Sequence, residues 1–123
     1  MDHSPGFLKL AEDAKARVRE VTVAEARERL ASGKDVRLID VREDNEWQAG
    51  HATGAVHLGR GIIERDIEKE VPDQGAALIL YCGGGYRSAL AADNLQRMGY
   101  TNVHSMAGGW TAWQEAGAPT EAE

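Results

Sequence analysis

The residue with the clearest chemical potential is Cys82, the only cysteine among the 123 residues. It ends an apolar run, Ala77–Cys82, that predicts a buried strand, and a predicted helix over Tyr86–Met98 follows it. A thiol at this junction faces the backbone N–H groups of the connecting loop and the positive end of the helix dipole. Both favour the thiolate, which is the nucleophilic form of cysteine. The position therefore predicts a cysteine enzyme with a covalent mechanism.

The loop after Cys82 predicts an anion-binding turn. Three consecutive glycines let the chain curl so that several backbone amides converge on one point. Arg87 adds a fixed positive charge, and Ser88 adds a hydroxyl at the start of the helix. Free cysteines are often small core residues, but the glycines have no packing role, so the context favours a nucleophile at the floor of an anion site. The candidate substrate-binding residues are Gly83, Gly84, Gly85, Tyr86, Arg87 and Ser88.

The charge and hydropathy of the sequence argue against a nucleic-acid-binding protein and against a membrane-spanning one. The 20 acidic residues outnumber the 14 basic ones, and the net charge of −6 argues against nucleic-acid binding, which needs a basic face. No apolar stretch is long enough to cross a bilayer, and the N-terminus lacks a signal-peptide pattern. A single cysteine cannot form an internal disulfide. We therefore expect a cytoplasmic protein with neither nucleic acid nor membrane among its partners.

The elements that must position Cys82 alternate between strands and helices. Apolar runs predict short strands at 36–41, 55–58, 77–82 and 103–106. Periodicity and capping signals predict helices at 7–19, 22–32, 62–71 and 86–98, and a last helix that carries Trp110 and Trp113. This alternation predicts an α/β fold, a parallel sheet with helices on both faces. Ligands of such folds bind beyond the carboxyl ends of the strands, where Cys82 and Asp40 both lie.

The chain is predicted to have three parts. Residues 1–20 form an N-terminal extension, which is frayed over 1–6 and then becomes an amphipathic helix lying on the domain. Residues 21–116 form the domain itself. The acidic residues 117–123 form a loose tail.

Five segments resemble the motifs of single-domain rhodanese-like sulfurtransferases, in the order in which that family has them. The segments are Leu38–Arg42, Glu46-Trp47 with Gly50-His51, Gly54–Leu58, Tyr81–Ser88, and Gly108–Trp110 with Trp113. Together they cover roughly residues 21–116. One departure is Thr53, which stands where the family often has proline. The resemblance implies a rhodanese-like fold, with a central, mainly parallel five-stranded sheet flanked by helices on both faces.

The resemblance also implies a function and a set of site residues. Cys82 would carry a persulfide, and the protein would be a transferase of the thiosulfate sulfurtransferase (rhodanese) type. A sulfane sulfur would pass from a donor such as thiosulfate to a thiophilic acceptor, which is cyanide, a thiol or the sulfur acceptor group of a protein. Neither a cofactor nor a metal is implied. In relatives, the residues that correspond to Asp40 and Arg42 help to hold the loop, so these two are assigned as supporting residues.

Two other functions stay open on the sequence. Cysteine phosphatases and arsenate reductases also place a thiolate in an anion loop, but five residues separate their cysteine from their arginine. Only four separate Cys82 from Arg87, and the shorter loop suits a single sulfur atom better than a tetrahedral oxyanion. The second alternative is a non-catalytic binding module, although inactive relatives usually lack the cysteine. A thioredoxin-type dithiol exchange is excluded because the chain has no resolving cysteine.

The remaining conspicuous aromatic and imidazole side chains are assigned structural roles. The histidines match no metal-ligand spacing and are interpreted as hydrogen-bonded structural or surface residues; they are His51, His57 and His104. The tryptophans are assigned to core and rim packing; they are Trp47, Trp110 and Trp113.

Three further residues lie in or near the predicted loops and helix starts: Arg60, Arg65 and Tyr86. Arg65 is assigned to a solvated helix face. For Arg60 two interpretations stay open, the entrance of the pocket and a solvated face with Glu64 and Glu68. Tyr86 is expected to project from the loop, and two roles stay open for it: a ring that shapes access for an acceptor, or a backbone amide that belongs to the anion site.

Overall fold

A central parallel sheet lies between two layers of helices in the computed structural model, which describes residues 3–122. The strands are β1 (Arg19–Val21), β2 (Val36–Asp40), β3 (His51–Ala52), β4 (Val56–His57), β5 (Ala77–Tyr81), β6 (Val103–Met106) and β7 (Thr120–Glu121). The helices are α1 (Pro5–Lys15), α2 (Val23–Ala31), α3 (Asp44–Ala49), α4 (Ile63–Glu70), α5 (Tyr86–Arg97) and α6 (Gly109–Glu115). The five-stranded sheet has the order β1-β6-β5-β2-β4, with all neighbours parallel.

The central strand β5 explains why the sheet is covered on both faces. Successive side chains of a strand point to opposite faces, and all four positions from Leu78 to Tyr81 are buried. Leu78 and Leu80 belong to a core layer with residues of α1, α4 and α5, whereas Ile79 and Tyr81 belong to a second layer with residues of α2 and α6. The predicted α/β fold with a five-stranded parallel sheet and helices on both faces is therefore confirmed.

Local sequence signals explain where helix α2 begins and where helix α4 ends. The Thr22 hydroxyl accepts from the Glu25 N–H at 3.1 Å, and the Glu25 carboxylate accepts from the Thr22 N–H at 2.8 Å, which is the predicted capping box of α2. Helix α4 ends at Glu70, two residues before Pro72, which disfavours helical backbone at the preceding residue.

The N-terminal region differs from the sequence-based expectation. The helix predicted over 7–19 begins earlier, at Pro5, because Ser4 caps it and proline suits the first helical position. It also ends earlier, at Lys15, with Ala16 as its C-cap. Arg19–Val21 is a strand that pairs with β6. The sequence did not predict it, because only Val21 of its three residues is buried and the segment shows no apolar pattern. Residues 3–6, predicted as frayed, include the cap and first residues of α1, while Met1 and Asp2 lie outside the described residues.

Both ends of the chain contact the rest of the domain. Ala11 and Ala14 of α1 are fully buried, and Ala14 lies in the same core layer as α5. At the other end, β7 pairs antiparallel with β3. The segment predicted as a loose tail is therefore attached over Thr120–Glu121, because its backbone completes a ladder that sequence periodicity does not reveal over two residues. Glu123 lies outside the described residues.

The helices of the described chain are short. Among residues 3–122, none is both long enough and apolar enough to cross a lipid bilayer.

Candidate active site

Cys82 lies at the carboxyl end of the central strand β5, as the sequence predicts. Its side chain is only 1 % exposed, and its Sγ accepts a hydrogen bond from the backbone N–H of Gly85 at 3.1 Å. The Ser88 hydroxyl lies 3.5 Å from the same sulfur. Cys82 also lines a cavity of about 1000 Å³. The side chain of Cys82 therefore contacts the loop and the cavity, and the residue directly follows Tyr81, the last residue of β5.

The three glycines of the loop have different roles. Gly85 caps α5 with a φ of 103°, a left-handed conformation that glycine adopts without steric cost, and this turn aims its N–H at the sulfur. A Cβ on Gly83 would lie 3.1 Å from Arg87 Nη2, whereas a Cβ on Gly84 would meet open space. The sequence predicts several converging amides, and the structure records the Gly85 amide as the one that donates to Sγ.

Arg87 is held by Glu46, a residue to which the sequence analysis gave no role. Arg87 Nη1 donates to Glu46 Oε1 at 2.7 Å, and Nη2 donates to Oε2 at 3.2 Å. This bidentate pair lowers the pKa of Glu46 and raises that of Arg87, to which the nearby Cys82 sulfur also contributes. The available signal was that Glu46 belongs to the Glu46-Trp47 motif, six residues after the end of β2 and in the first turn of α3.

A buried hydroxyl pair lies behind the sulfur. Ser88 Oγ is 2.8 Å from Ser105 Oγ, and both serines are fully buried. Ser105 lies on β6, next to β5 in the sheet. The sequence analysis missed it, although a serine inside the buried run Val103–Met106 was a visible signal, because a buried hydroxyl needs a partner.

The start of α6 fixes the backbone of the loop. The N–H of Trp110 donates to the carbonyl oxygen of Cys82 at 2.7 Å, and the N–H of Thr111 donates to the carbonyl oxygen of Gly83 at 3.2 Å. Gly109 has a φ of 49°, and a Cβ at that position would collide with the Cys82 carbonyl group. The Gly108-Gly109-Trp110 motif therefore lets α6 approach the loop closely enough to bind it.

Asp40 and Arg42 form a buried ion pair away from the cavity. The Asp40 carboxylate is fully buried and accepts from Arg42 Nε and Nη2, the latter at 2.8 Å. Arg42 Nη2 also donates to the Gly50 carbonyl at 2.6 Å. The guanidinium lies 4.7 Å from the centroid of the Trp110 ring, within cation–π range. Because Trp110 binds the Cys82 carbonyl, the pair contacts the loop through one intermediate residue.

Tyr81 connects the same region to β3. Its hydroxyl accepts from the Ala52 N–H at 3.0 Å. Burial, together with the neighbouring Asp40 carboxylate, raises the pKa of Tyr81 above its ordinary value. The phenol therefore stays neutral and acts as a structural hydrogen-bonding group beside the site.

The N-terminal segment supplies one wall of the cavity. His3, Ser4 and Phe7 line it together with Tyr86 from the loop. The rings of His3 and Tyr86 meet edge to face with centroids 4.9 Å apart, and Lys15 Nζ lies 4.2 Å from the Tyr86 ring centroid. Tyr86 is thus packed against the N-terminal segment and shapes the cavity as part of this wall, which the sequence analysis placed outside the domain.

The structure gives Arg65 and Arg60 different surroundings, and for Arg60 it decides between the two interpretations that the sequence leaves open. Arg65 is exposed and pairs with Asp66 at 2.7 Å, on the solvated face that was expected. Arg60 lines the Cys82 cavity. Its Nε is buried and has no hydrogen-bond partner among residues 3–122.

The histidines of the second and third motifs, His51 and His57, are hydrogen-bonded structural residues, as expected. His51 Nδ1 lies 2.9 Å from the Trp47 carbonyl oxygen, and His57 Nε2 lies 2.8 Å from the Arg42 carbonyl oxygen. Trp47 stacks on both imidazoles, with centroid distances of 3.4 Å to His51 and 5.0 Å to His57. This stack packs α3, which carries Trp47, against β3 and β4.

Comparison with protein families decides the class. The sequence model of the rhodanese-like domain matches residues 22–116, and its span includes Cys82, Glu46, Arg87 and the start of α6. The chain belongs to the rhodanese-like family. The predicted family is therefore confirmed, and with it the prediction of a rhodanese-type transferase.

Individual relatives of this rhodanese-like protein support the same class. The thiosulfate sulfurtransferase GlpE of Pseudoalteromonas translucida is 35 % identical over 98 residues, which cover 80 % of this chain and 90 % of the relative. GlpE of Shewanella oneidensis is 33 % identical over 89 residues, which cover 72 % of this chain and 86 % of the relative.

Two solved structures resemble nearly the whole chain. The polysulfide-sulfur transferase homodimer of Wolinella succinogenes is 27 % identical with a TM-score of 0.82, covering 96 % of this chain and 88 % of that one. A Rhodopseudomonas palustris protein of unknown function, described as a possible tyrosine phosphatase, is 29 % identical with a TM-score of 0.82, covering 98 % of both chains.

Proposed function

We propose that this rhodanese-like protein moves a sulfane sulfur from a donor such as thiosulfate to a thiophilic acceptor, cyanide or a thiol, through a persulfide on Cys82. The observation that carries the proposal is the hydrogen bond from the Gly85 N–H to the Cys82 sulfur at the edge of the cavity. A donor aimed at the sulfur stabilises negative charge on it, both as thiolate and as persulfide. The names of the GlpE relatives and of the polysulfide-sulfur transferase support this class of donor.

The first half-reaction forms the persulfide. The Cys82 thiolate attacks the outer sulfur of thiosulfate, a new S–S bond forms, and the bond between the two sulfurs of the donor breaks. The electron pair of that bond leaves with the sulfonate sulfur as sulfite. The negative charge moves to the terminal sulfur of the persulfide, next to the loop that contains Gly83, Gly84 and Gly85.

The second half-reaction returns the enzyme to its starting state. The acceptor nucleophile attacks the terminal sulfur, and the Cys82 thiolate leaves with the electron pair of the broken S–S bond. Tyr86 would shape the acceptor's approach, since its ring belongs to the cavity wall. Ser88 would donate to the sulfur whenever it carries charge, with the Ser105 hydroxyl donating to the Ser88 oxygen behind it. The breadth of the cavity also suits a sulfur acceptor group presented by a protein.

The remaining assigned residues act on the position of the loop. Arg87 would hold charge beside the sulfur while Glu46 fixes its guanidinium. Asp40 and Arg42 would support the loop through Trp110. Because Cys82 must be in its reduced form to attack the donor, a reducing compartment such as the cytoplasm suits this chemistry.

A phosphatase activity is the second candidate, because one structural relative is described as a possible tyrosine phosphatase. Such an enzyme needs an arginine whose guanidinium binds the phosphate oxygens. Here both terminal nitrogens of Arg87 bind Glu46, and the sequence has four residues between Cys82 and Arg87. Both features favour transfer of a single sulfur atom over hydrolysis of a phosphate ester.

Turnover measurements test the proposal. The wild-type protein should produce thiocyanate from thiosulfate and cyanide, and C82A should produce none above the uncatalysed rate. Neither protein should hydrolyse an aryl phosphate. Aryl phosphate hydrolysis that depends on Cys82, without thiocyanate formation, would support the phosphatase. If neither activity occurs, the proposal is refuted, and capture of a partner protein would then favour the binding module.

A further inference from the structure

Arg60 lines the Cys82 cavity, and no carboxylate among residues 3–122 neutralises its charge. The other arginine in the cavity wall, Arg87, forms a bidentate pair with Glu46. Arg60 forms no ion pair with any carboxylate among residues 3–122. Since Glu46 is the acidic residue of the wall, the local charge of the cavity is set by Arg60.

The backbone fixes Arg60 close to the catalytic strand end. The Arg60 N–H donates to the carbonyl oxygen of Val41 at 2.9 Å, and the Val41 N–H donates to the carbonyl oxygen of Tyr81 at 3.0 Å. Tyr81 directly precedes Cys82. Two backbone hydrogen bonds therefore connect Arg60 to the residue before the nucleophile, and this part of the chain cannot drift away from the cavity without breaking them.

The Arg60 side chain has a donor that no other group of the described residues satisfies. Its Nε is buried without a partner among residues 3–122. An unsatisfied N–H of a charged group costs free energy when it is removed from water, and buried groups of this kind are usually paired. A guanidinium offers several N–H donors in one plane, an arrangement that matches the oxygens of a planar or tetrahedral anion.

We propose that Arg60 binds the anionic oxygens of the sulfur donor, which for thiosulfate is its sulfonate group, and so orients the outer sulfur towards Cys82. This rests on the proposed function. Thiosulfate carries two negative charges, and the protein as a whole is acidic, with a net charge of −6. A local cation is needed to attract such a donor, and Arg60 supplies it while Arg87 serves the sulfur itself.

Arg60 also stabilises the leaving group, which is the departing sulfite. As the Cys82 thiolate bonds to the outer sulfur, the electron pair of the donor's S–S bond moves onto the sulfonate sulfur, which departs as the sulfite dianion. Charge therefore grows on the group that Arg60 contacts. An interaction that strengthens along the reaction accelerates it as well as binding the substrate.

Rapid-mixing measurement of sulfur loading tests the assignment. R60A should lower the second-order rate constant for persulfide formation from thiosulfate about 10- to 100-fold, the range expected for loss of a charged hydrogen bond. R60K should recover part of the rate, because it keeps the charge but loses the planar array of donors. R65A is the matched control and should load sulfur at the wild-type rate, since Arg65 pairs with Asp66 on the exposed face.

Two further measurements separate anion recognition from a structural role. Release of loaded sulfur to dithiothreitol, a neutral acceptor, should be unchanged in R60A. Thiosulfate should raise the melting temperature of C82A, which cannot react, and should have no such effect on C82A/R60A. If R60A does not fold, R60Q, which keeps most of the side-chain volume, takes its place in both measurements.

The outcomes for Arg60 and for the proposed function are distinguishable. Wild-type protein that loads sulfur, together with R60A and R60Q variants that load it equally fast, overturns the assignment of Arg60 and leaves the sulfurtransferase proposal standing. Wild-type protein that takes up no sulfur from thiosulfate overturns the proposed function. Equal slowing of loading and of release to dithiothreitol also contradicts the assignment, because it indicates a general disturbance of the loop.

Discussion

Glu46 and Arg87 form a bidentate ion pair across 41 positions of the chain, with Arg87 Nη1 2.7 Å from Glu46 Oε1. The pair joins α3 to the first turn of α5, directly beside Cys82. It fixes the arginine by two parallel hydrogen bonds, a geometry that adds orientation as well as energy. The first prediction follows from this relationship.

E46Q is predicted to slow sulfur loading by about 10-fold, because misplacement of a group beside the reacting atom is costly for catalysis. The half-exposed pair contributes little to folding, so the free energy of unfolding should fall by no more than about 1 kcal/mol. Stopped-flow loading and urea unfolding measure the two quantities. E115Q, which removes an exposed carboxylate at the end of α6, is the control. Equal loading rates for both variants would remove Glu46 from the mechanism.

G109A is predicted to disturb the catalytic loop. A Cβ at Gly109 would collide with the Cys82 carbonyl, and the φ of 49° disfavours any residue other than glycine. The expected loss of stability is about 1–3 kcal/mol, with sulfur loading reduced further than stability alone explains. Urea unfolding and loading rates should be compared with those of G6A, where a Cβ meets no atom within 4 Å. A G109A protein with wild-type loading would show that α6 does not position the loop.

D40N is predicted to destabilise the fold strongly. The Asp40 carboxylate is 0 % exposed and its partner Arg42 is 3 % exposed, so the variant leaves an uncompensated cation in the interior. Loss of one partner of a buried pair costs about 3–5 kcal/mol. Urea unfolding should show this loss for D40N and almost none for D66N, whose ion pair with Arg65 is at the surface. Similar unfolding midpoints for D40N and D66N would contradict the supporting role.

The pH dependence of stability is predicted to depend on His104. Burial lowers the pKa of His104, and the charges of Arg29 and Arg19 add to this effect. The unfolded chain therefore binds a proton at about pH 6.5, where the folded protein does not. The free energy of unfolding should be highest above about pH 6.5 and should fall as the pH decreases below that value.

Urea unfolding at about pH 7.5, 6.5 and 5.5 checks this sign, and H104Q should flatten the curve. The range stays above the ordinary pKa of carboxyl groups, so Glu46 and Asp93, whose pKa values are lowered by arginine partners, do not contribute. Parallel curves for wild type and H104Q would assign the pH dependence to another group.

The predictable part of this structure is the part that local sequence encodes. Cys82 ends an apolar run and precedes three glycines, so the strand, the turn and the following helix were visible from neighbouring residues. The capping box of Thr22 and Glu25 is equally local, and it was predicted and found. The resemblance of five motifs to those of the rhodanese-like family then implied the five-stranded sheet.

The unpredicted part consists of contacts between distant positions. Glu46 and Arg87, or Ser88 and Ser105, meet only after the sheet has placed their elements side by side. Short elements such as Thr120–Glu121 carry no periodicity at all, because two residues cannot show a pattern. The wall formed by His3, Ser4 and Phe7 depends on how α1 packs against α5, which no local signal encodes.

The most direct test of the account is the intact mass of the protein after incubation with thiosulfate. Wild-type protein should gain the mass of one sulfur atom, lose it on addition of cyanide or dithiothreitol, and show the modification on Cys82 by peptide mapping. C82A and C82S should gain nothing under the same conditions. Wild-type protein that remains unmodified, or a C82S variant that takes up the same mass, would contradict the persulfide on Cys82.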